Sequence, residues 1–369
     1  MSTNFVDVLV IGGGVIGLAI AKSFAAKGRE VIVLEKENTF GSVTSSRNSG
    51  VIHAGVYYDK DSMKAKFCAD GNRRMYEYCQ KFNVPHINTG KFIVATSSNE
   101  IPKLEEIFSK AEYNGVEGIE RVTGNYVTSK EPLVKCIEAL FVPSSGIVDQ
   151  NSLMRSYLGE LEESSGNIVF NSQFLRSEIH GEKYRSTVLS DGEEIIIESS
   201  VIINAAGLNA ENIANNILPL DKKYIPKTYF AKGNYFETGK DLKIRHLIYP
   251  IPNDASLGLH LGLDLGMQVR FGPDVEWVDE IDYKVNKERQ VLFHNDVIKY
   301  IPSIKIEDLK AGYSGVRPKL KNKGEGKSDF LIQGEKTHGI KNLVNLFGME
   351  SPGLTSSLVI VEYVTNMVS

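Results

Sequence analysis

The fold is decided by residues 6–36, VDVLVIGGGVIGLAIAKSFAAKGREVIVLEK. The run VDVLVI is mostly apolar and β-branched, which is typical of a strand buried on both faces. The segment from Val15 predicts an apolar helix that ends near Lys27 and Gly28, because a cation in the last turn and a following glycine are common at helix C-termini. EVIVLEK predicts a second buried strand. The stretch therefore predicts a β–α–β unit.

The turn between the first strand and the helix reads GGGVIG. Its first glycine permits a tight turn, its third lets a pyrophosphate approach the backbone, and its last lets helix and strand pack closely. The helix N-terminus adds amide donors and the positive end of a dipole. We expect phosphate contacts from Gly12, Gly14, Val15, Ile16 and Gly17.

An acidic residue ends the second strand. Glu35 follows Gly17 by eighteen residues, a separation at which a carboxylate can accept hydrogen bonds from a ribose diol. The same carboxylate would repel a 2′-phosphate, which disfavours NADP. Strand, helix, strand and acid together predict a dinucleotide site that includes Glu35 and the adjacent Lys36.

The segment KENTFGSVTSSRNSG, which follows this acid, favours FAD over a nicotinamide cofactor. Its hydroxyl, amide and backbone groups can bind a second phosphate and a ribityl chain, whereas a nicotinamide dehydrogenase would usually continue with repeated β–α units. No second Gly-x-Gly-x-x-Gly occurs, which argues against a two-nucleotide reductase. The expected contacts in this segment are Ser45, Ser46, Asn48, Ser49 and Gly50.

Two later segments extend the predicted cofactor site. VIINAAGLNA predicts a buried strand followed by small residues that let the chain pass close to a ligand. NLVNLFGMESPGLTSSLVIVEYV predicts a strand, a turn and a helix whose N-terminus can face an electron-rich cofactor atom. The expected contacts are Ala205, Ala206, Gly207, Ser351, Gly353, Leu354 and Thr355.

The motifs VLVIGGGVIGLAIA, SSRNSGVIHAGVYY, INAAG, SGVRPK and FGMESPGLTSS give the chain, over essentially its whole length, a resemblance to D-amino-acid-oxidase-like flavoproteins. Within them it is similar to the L-2-hydroxyglutarate dehydrogenase/oxidase group. The resemblance implies an FAD-dependent oxidoreductase, with further cofactor contacts at Leu175, Gly315 and Arg317. It also implies a Rossmann-like α/β FAD-binding domain interleaved with an α+β substrate domain built on an antiparallel sheet. The expected FAD-binding segments are 1–88, 145–220 and 310–369, and the expected substrate-domain segments are 89–144 and 221–309.

Such an enzyme must accept a hydroxyl proton and hold a substrate carboxylate, while the flavin carries the electron chemistry. Histidine suits the proton because its ordinary pKa lies near neutral pH. His53 and His260 are the candidate bases; LGLHLGL puts leucine on one strand face and leaves room beside His260 on the other. Burial against a carbonyl would also explain His53, and a solvent-facing position would explain His260. Arg317 is the candidate carboxylate clamp because a guanidinium binds carboxylate bidentately.

Other polar side chains could complete a substrate pocket. Lys232 and Arg270 are candidates for a distal carboxylate, although ordinary surface positions would also explain them. Tyrosines of the middle segments could line the same pocket. The expected substrate contacts are Tyr58, Lys232, Tyr249 and Arg270, and no metal site is expected.

We therefore expect oxidation of an L-2-hydroxy acid, with L-2-hydroxyglutarate favoured, by hydride transfer to flavin N5. The alternatives are an amine or amino-acid oxidase acting on glycine, sarcosine or a D-amino acid, and a non-catalytic flavin-binding subunit. Glycerol 3-phosphate is disfavoured because no basic cluster for a phosphate stands out. Oxygen, a quinone and an electron-transfer protein are all compatible acceptors. Noncovalent FAD is expected, with His53 as the alternative covalent linker.

Composition narrows the class of protein. The formal net charge of -4 argues against a nucleic-acid partner. The three cysteines form no CxxC pair, which favours a reducing compartment and a cytoplasmic protein. Asp7 and four glycines interrupt the apolar N-terminal stretch, so it does not predict a membrane anchor. Loose contact with a membrane surface stays compatible with the sequence.

Overall fold

The computed structural model describes residues 4–252 and 258–368. Its strands are β1 (Asn4–Ile11), β2 (Val31–Leu34), β3 (Val51–Ile52), β4 (His86–Ile87), β5 (Lys91–Ala95), β6 (Glu120–Thr123), β7 (Glu138–Val142), β8 (Gly146–Val148), β9 (Asn167–Val169), β10 (Ser172–His180), β11 (Lys183–Ser190), β12 (Glu193–Asn204), β13 (Tyr229–Glu237), β14 (Leu247–Pro250), β15 (Leu261–Leu263), β16 (Val269–Phe271), β17 (Glu276–Val278), β18 (Lys310–Lys319), β19 (Leu331–Gln333) and β20 (Leu343–Phe347). Its α-helices are α1 (Val15–Ala25), α2 (Met63–Lys81), α3 (Ile101–Tyr113), α4 (Gly124–Lys130), α5 (Gln150–Glu163), α6 (Ala210–Asn215), α7 (Gln290–Val297), α8 (Glu335–His338) and α9 (Gly353–Thr365).

The chain forms two compact units that alternate along the sequence. Unit 1 comprises Met1–Ser46, Gln150–Phe230 and Arg317–Ser369, and unit 2 comprises Arg47–Asp149 and Ala231–Val316. The largest difference from the expected segments concerns residues 47–88, which belong to unit 2. The reason is local pairing: β3 and β4 both pair with β8, so this segment is tied into a small sheet of unit 2.

Unit 1 is built on a sheet with the strand order β10-β11-β12-β1-β2-β9, in which β20 also pairs with β12. The strands from β20 through β12, β1 and β2 to β9 are parallel, whereas β10 and β11 continue the sheet in antiparallel fashion. Val8, Leu9 and Val10 are fully buried, as a central parallel strand covered on both faces requires. The expected β–α–β unit and α/β class are confirmed.

Close packing at the glycine-rich turn fixes helix α1 against β1. Gly12 adopts φ +109°, in a region that favours glycine. A Cβ atom on Gly17 would lie 2.0 Å from the carbonyl oxygen of Gly12. Helix α1 also packs on α5 and α9, where Tyr157 and Ser357 share a buried hydrogen bond of 3.1 Å. The first and last glycines of the motif are therefore required by the protein's own packing.

Unit 2 contains a larger sheet with the order β17-β13-β16-β15-β14-β5-β7-β6 and a small sheet β3-β8-β4. Most pairings given for the larger sheet are antiparallel, as expected, but β14 runs parallel to β5. The strand expected in LGLHLGL is shorter than its alternation suggests, because only Leu261–Leu263 forms β15. Leu257 lies outside the described residues, and His260 directly precedes the strand.

Among residues 4–252 and 258–368, none of the helices is both long and apolar enough to cross a bilayer.

Two helical glycines of unit 1 test the packing argument. Gly17→Ala should lower the free energy of unfolding by about 1–3 kcal/mol, because the added methyl group overlaps a backbone carbonyl. Gly159→Ala in α5 is the matched control: its Cβ would meet nothing within 4 Å, so the change should be neutral or stabilise by up to about 1 kcal/mol. Thermal unfolding of both variants measures the difference. Equal stability of the two variants would contradict this account.

Candidate functional site

Glu35 is held in a fixed orientation beside the glycine turn. One of its carboxylate oxygens accepts from the amide of Gly13 at 2.8 Å and the other from the amide of Glu37 at 2.9 Å. Each carboxylate oxygen has a second lone pair, so both can accept a further hydrogen bond. The carboxylate is therefore oriented by backbone donors and suited to a ribose diol.

The segment after β2 folds back onto the glycine turn. The amide of Gly41 donates to the carbonyl of Gly13 at 3.0 Å, and Ser46 donates to the carbonyl of Gly41 at 2.5 Å. Ser45 accepts from the amide of Val15 at 3.0 Å and so caps helix α1. The Val15 amide therefore has a partner within the chain, and its contact with a cofactor stays a prediction.

The small residues after β12 meet the glycine turn from the other side. The amide of Ala205 donates to the carbonyl of Ile11 at 2.9 Å, and a Cβ on Gly12 would lie 2.7 Å from the Ala205 carbonyl oxygen. At the start of α9, a Cβ on Gly353 would meet only Ile16, at 3.9 Å. Space is therefore left beside the N-terminal ends of α1 and α9, where the amide donors of both helices begin.

The expected cofactor residues fall into both units. Those in unit 1 are Gly12, Gly14, Val15, Ile16, Gly17, Glu35, Lys36, Ser45, Ser46, Leu175, Ala205, Ala206, Gly207, Arg317, Ser351, Gly353, Leu354 and Thr355, and those in unit 2 are Asn48, Ser49, Gly50 and Gly315. Leu175 lies on β10, three residues after Ser172, and the amide of Ser172 donates to the carbonyl of Glu35 at 2.9 Å. A Cβ on Gly315 would lie 1.9 Å from the carbonyl oxygen of Arg47. Packing within the protein therefore accounts for this last glycine without a ligand.

In unit 2 the backbone of His53 is anchored to helix α2. Its carbonyl accepts from Asn72 Nδ2 at 3.1 Å and from Cys68 Sγ at 3.4 Å. Asn72 also donates to the carbonyl of Ser144 at 2.8 Å, which ties the segment to a third part of the chain. His53 is thus held at a fixed place on α2.

His260 forms a parallel ring stack with Tyr249. The ring centroids are 3.5 Å apart and the planes differ by 3°. The ammonium of Lys91 lies 4.3 Å from the centroid of the same tyrosine ring. The β5–β14 register explains this contact: Tyr249 pairs with Ile93, and Lys91 precedes Ile93 by two residues, on the same face of the sheet.

The environment of His53 favours its uncharged form. Burial lowers its pKa well below the ordinary value, and the charges of Lys91 and His260 lower it further. Burial also raises the pKa of Tyr57 well above its ordinary value. Its hydroxyl is buried without a hydrogen-bond partner among the described residues. His53 is half-buried, and near neutral pH its uncharged imidazole can accept a proton.

A small cleft lies beside the Tyr249 ring; we call it the Arg270 cleft. Its lining residues are Ser49, Tyr235, Tyr249, Gly262, Leu263, Arg270, Gly272 and Tyr313. Ser49 and Tyr235 share a hydrogen bond of 2.8 Å, and Tyr235 stacks on Tyr313 with ring centroids 4.3 Å apart. Arg270 donates to Asp264 at 2.9 Å, which orients its guanidinium. Hydroxyl groups and one guanidinium form a surface suited to a carboxylate.

The cleft contains only some of the expected substrate residues. Tyr249 and Arg270 line it, together with Ser49, which the sequence assigned to the cofactor. Lys232 and Tyr58 are not among its lining residues: Lys232 is bonded to Asp282 at 2.9 Å, and the carbonyl of Tyr58 accepts from Asn114.

Two residues of this region are absent from the sequence-based candidates. Lys91 is the first residue of β5, and all five residues of this strand are buried. A lysine at the start of such an apolar stretch is the signal that could have identified Lys91 as a candidate. Tyr313 gives a weaker signal: it directly precedes the SGVRPK motif.

Comparison with known proteins agrees with this geometry. The family model described as FAD dependent oxidoreductase matches residues 7–367, so the chain belongs to that family, is an oxidoreductase and uses FAD. The mitochondrial L-2-hydroxyglutarate dehydrogenase of Arabidopsis thaliana is 39% identical over 400 residues, covering 98% of this chain and 83% of that protein. The human enzyme of the same name is 28% identical over 420 residues, covering 97% and 88%.

A solved structure supports the fold. Dithionite-reduced L-α-glycerophosphate oxidase from Mycoplasma pneumoniae, with FAD bound, superimposes with a TM-score of 0.88 at 23% sequence identity. The match covers 99% of this chain and 95% of that chain. The glycine turn, the oriented Glu35 and the small residues after β12 fit FAD, and they are the groups that would hold its adenosine and pyrophosphate.

Glu35 provides the test of the cofactor site. Glu35→Gln should weaken FAD binding roughly 10- to 100-fold, because a hydrogen bond to a charged group contributes about 1.5–3 kcal/mol. FMN has no adenosine ribose, so its binding should be unchanged. Titration of the apoprotein with each flavin measures both constants, and Glu30→Gln on the exposed surface is the control. Equal weakening of FAD and FMN would show that Glu35 acts only on the fold.

Proposed function

We propose that this protein oxidises L-2-hydroxyglutarate to 2-oxoglutarate. The observation that carries the proposal is the cluster of half-buried His53 and His260, because Tyr249, which stacks on His260, also lines the Arg270 cleft. An uncharged imidazole accepts a hydroxyl proton, and the guanidinium binds a carboxylate. The two relatives named as L-2-hydroxyglutarate dehydrogenases support the choice of substrate.

Each part of the reaction has a residue suited to it. When FAD is bound, flavin N5 supplies the acceptor for the hydride that leaves C2 of the substrate. His53 takes the hydroxyl proton at its imidazole as the C2–O bond becomes a carbonyl. We assign the base to His53 rather than His260 because burial and the charges of Lys91 and His260 lower the pKa of His53 and so keep it uncharged. His260 then positions Tyr249 through the ring stack.

The two carboxylates of the substrate need separate cationic partners. Arg270 is the proposed partner of the distal carboxylate, because it lines the cleft and Asp264 fixes its orientation. Arg317 on β18 is the proposed clamp for the C1 carboxylate. Tyr235 and Tyr313 add hydroxyl groups to the cleft, which gives an anionic substrate neutral donors as well as charge.

Anaerobic flavin reduction tests the substrate directly. Mixed with the FAD-loaded enzyme, L-2-hydroxyglutarate should bleach the flavin absorbance, whereas D-2-hydroxyglutarate, L-lactate and glycerol 3-phosphate should react much more slowly. Glycine, sarcosine and D-amino acids belong in the same panel, since the fold is shared with amine oxidases. Faster bleaching by an amine would replace this proposal with amine oxidation, and no bleaching by any compound would favour a non-catalytic flavoprotein.

An Arg270 variant tests the assignment of the cleft in the same assay. Arg270→Met should lower kcat/KM for L-2-hydroxyglutarate roughly 10- to 100-fold, which corresponds to one charge-assisted hydrogen bond. L-lactate, which has no distal carboxylate, should be affected much less. Arg121→Met is the control, since Arg121 is exposed and pairs with Glu105 and Glu138. Equal losses for both substrates would contradict the distal-carboxylate role.

A further inference from the structure

Lys91 is a buried cation in an otherwise apolar strand. Its side chain is 1% exposed, and the other residues of β5, Phe92–Ala95, are fully buried. Removing an ammonium group from water costs several kcal/mol unless an opposite charge or hydrogen bonds compensate it. A lysine at this position therefore needs a physical reason.

No carboxylate compensates this charge within the described part of the chain. Among those residues, Lys91 Nζ contacts the Tyr249 ring, 4.3 Å from the ring centroid, and forms no ion pair or hydrogen bond. Lys232, another buried lysine of unit 2, shows the usual solution, with Asp282 at 2.9 Å. Burial lowers the pKa of Lys91 to about 8, so the ammonium form still dominates at neutral pH.

The position of this charge links it to the proton acceptor. His260 covers one face of the Tyr249 ring at 3.5 Å, which leaves the other face for the ammonium. Cys68, which lies close enough to Lys91 to influence it electrostatically, donates to the carbonyl of His53. The charge thus lies within the cluster that holds both imidazoles.

Three other titratable groups of this cluster, Cys68, Tyr57 and Tyr249, stay neutral near neutral pH. The charges that lower the pKa of His53 are those of Lys91 and His260. Burial raises the pKa of Cys68 to about 12, and it raises the pKa values of both tyrosines. Near neutral pH, the ammonium of Lys91 is therefore the larger of the two charges that act on His53.

We propose that Lys91 is a positioning residue for the base: its buried ammonium, packed on Tyr249, adds to burial in disfavouring a positive charge on His53, and a dianionic substrate supplies the ammonium with a counter-charge when it binds. This inference rests on the proposed function, because it assumes that His53 must accept a proton. It explains why a lysine without a carboxylate partner among the described residues lies at a site where an apolar residue would be more stable.

The test is an NMR titration of His53 in the FAD-loaded enzyme with isotope-labelled histidine. Lys91→Met preserves side-chain volume and removes the charge. The midpoint of the His53 titration should rise by about one pH unit, while burial keeps it below the ordinary histidine value. The signal is assigned with His53→Gln. An unchanged midpoint in Lys91→Met would overturn the proposal.

Two further measurements separate this role from a structural one. Lys64→Met removes another buried lysine of unit 2 whose charge does not act on His53, so it should leave the titration unchanged. Lys91→Met should raise the melting temperature, because an uncompensated buried charge is replaced by an apolar side chain. A lower melting temperature with an unshifted His53 would make Lys91 a purely structural residue.

The two proposals fail in different ways. If L-2-hydroxyglutarate does not reduce the flavin but Lys91→Met still shifts His53, the substrate is wrong and the electrostatic inference holds for another anion. If the substrate reacts and His53 does not shift, the inference about Lys91 is wrong. If both proposals are correct, the acid limb of the pH profile of kcat/KM moves to higher pH in Lys91→Met. The reason is that a base with a raised pKa becomes protonated at a higher pH.

Discussion

The contact between the backbone of Gly12 and the Cα of Gly17 is the constraint on which unit 1 depends. It leaves no room for a side chain, so α1 starts directly against the end of β1. That placement puts the helix N-terminus, the oriented carboxylate of Glu35 and the small residues after β12 around one turn. The groups that would hold the adenosine and pyrophosphate of FAD are therefore brought together by packing inside the protein.

In unit 2, the main constraint around Tyr249 is electrostatic rather than steric. A lysine without a carboxylate partner among the described residues lies against the Tyr249 ring, and the same ring stacks on His260. Under the proposed function, the unfavourable burial of that ammonium is offset because it disfavours a charged imidazole and attracts an anionic substrate. Stability and function are opposed at this point, as is common at active sites.

The sequence predicted features that depend on local pattern. The glycine turn and the acid at the end of β2 follow from spacing and periodicity. The environment of Lys91 could not be predicted, because it arises from the pairing of β5 with β14, more than 150 residues away along the chain. Likewise, the hydrogen bond between Lys232 and Asp282 joins residues far apart along the chain, so the sequence could not show that Lys232 has this partner.

In the proposed reaction, uncharged His53 accepts the hydroxyl proton as the substrate is oxidised. The most direct measurement is the pH dependence of the second-order rate constant for anaerobic flavin reduction by L-2-hydroxyglutarate, which reports the free enzyme. Because burial, Lys91 and His260 lower the pKa of His53, the rate constant should stay at its full value as pH falls through about 6.5, the ordinary histidine value. It should decline only at lower pH. A rate constant already half lost at or above that pH would contradict the account.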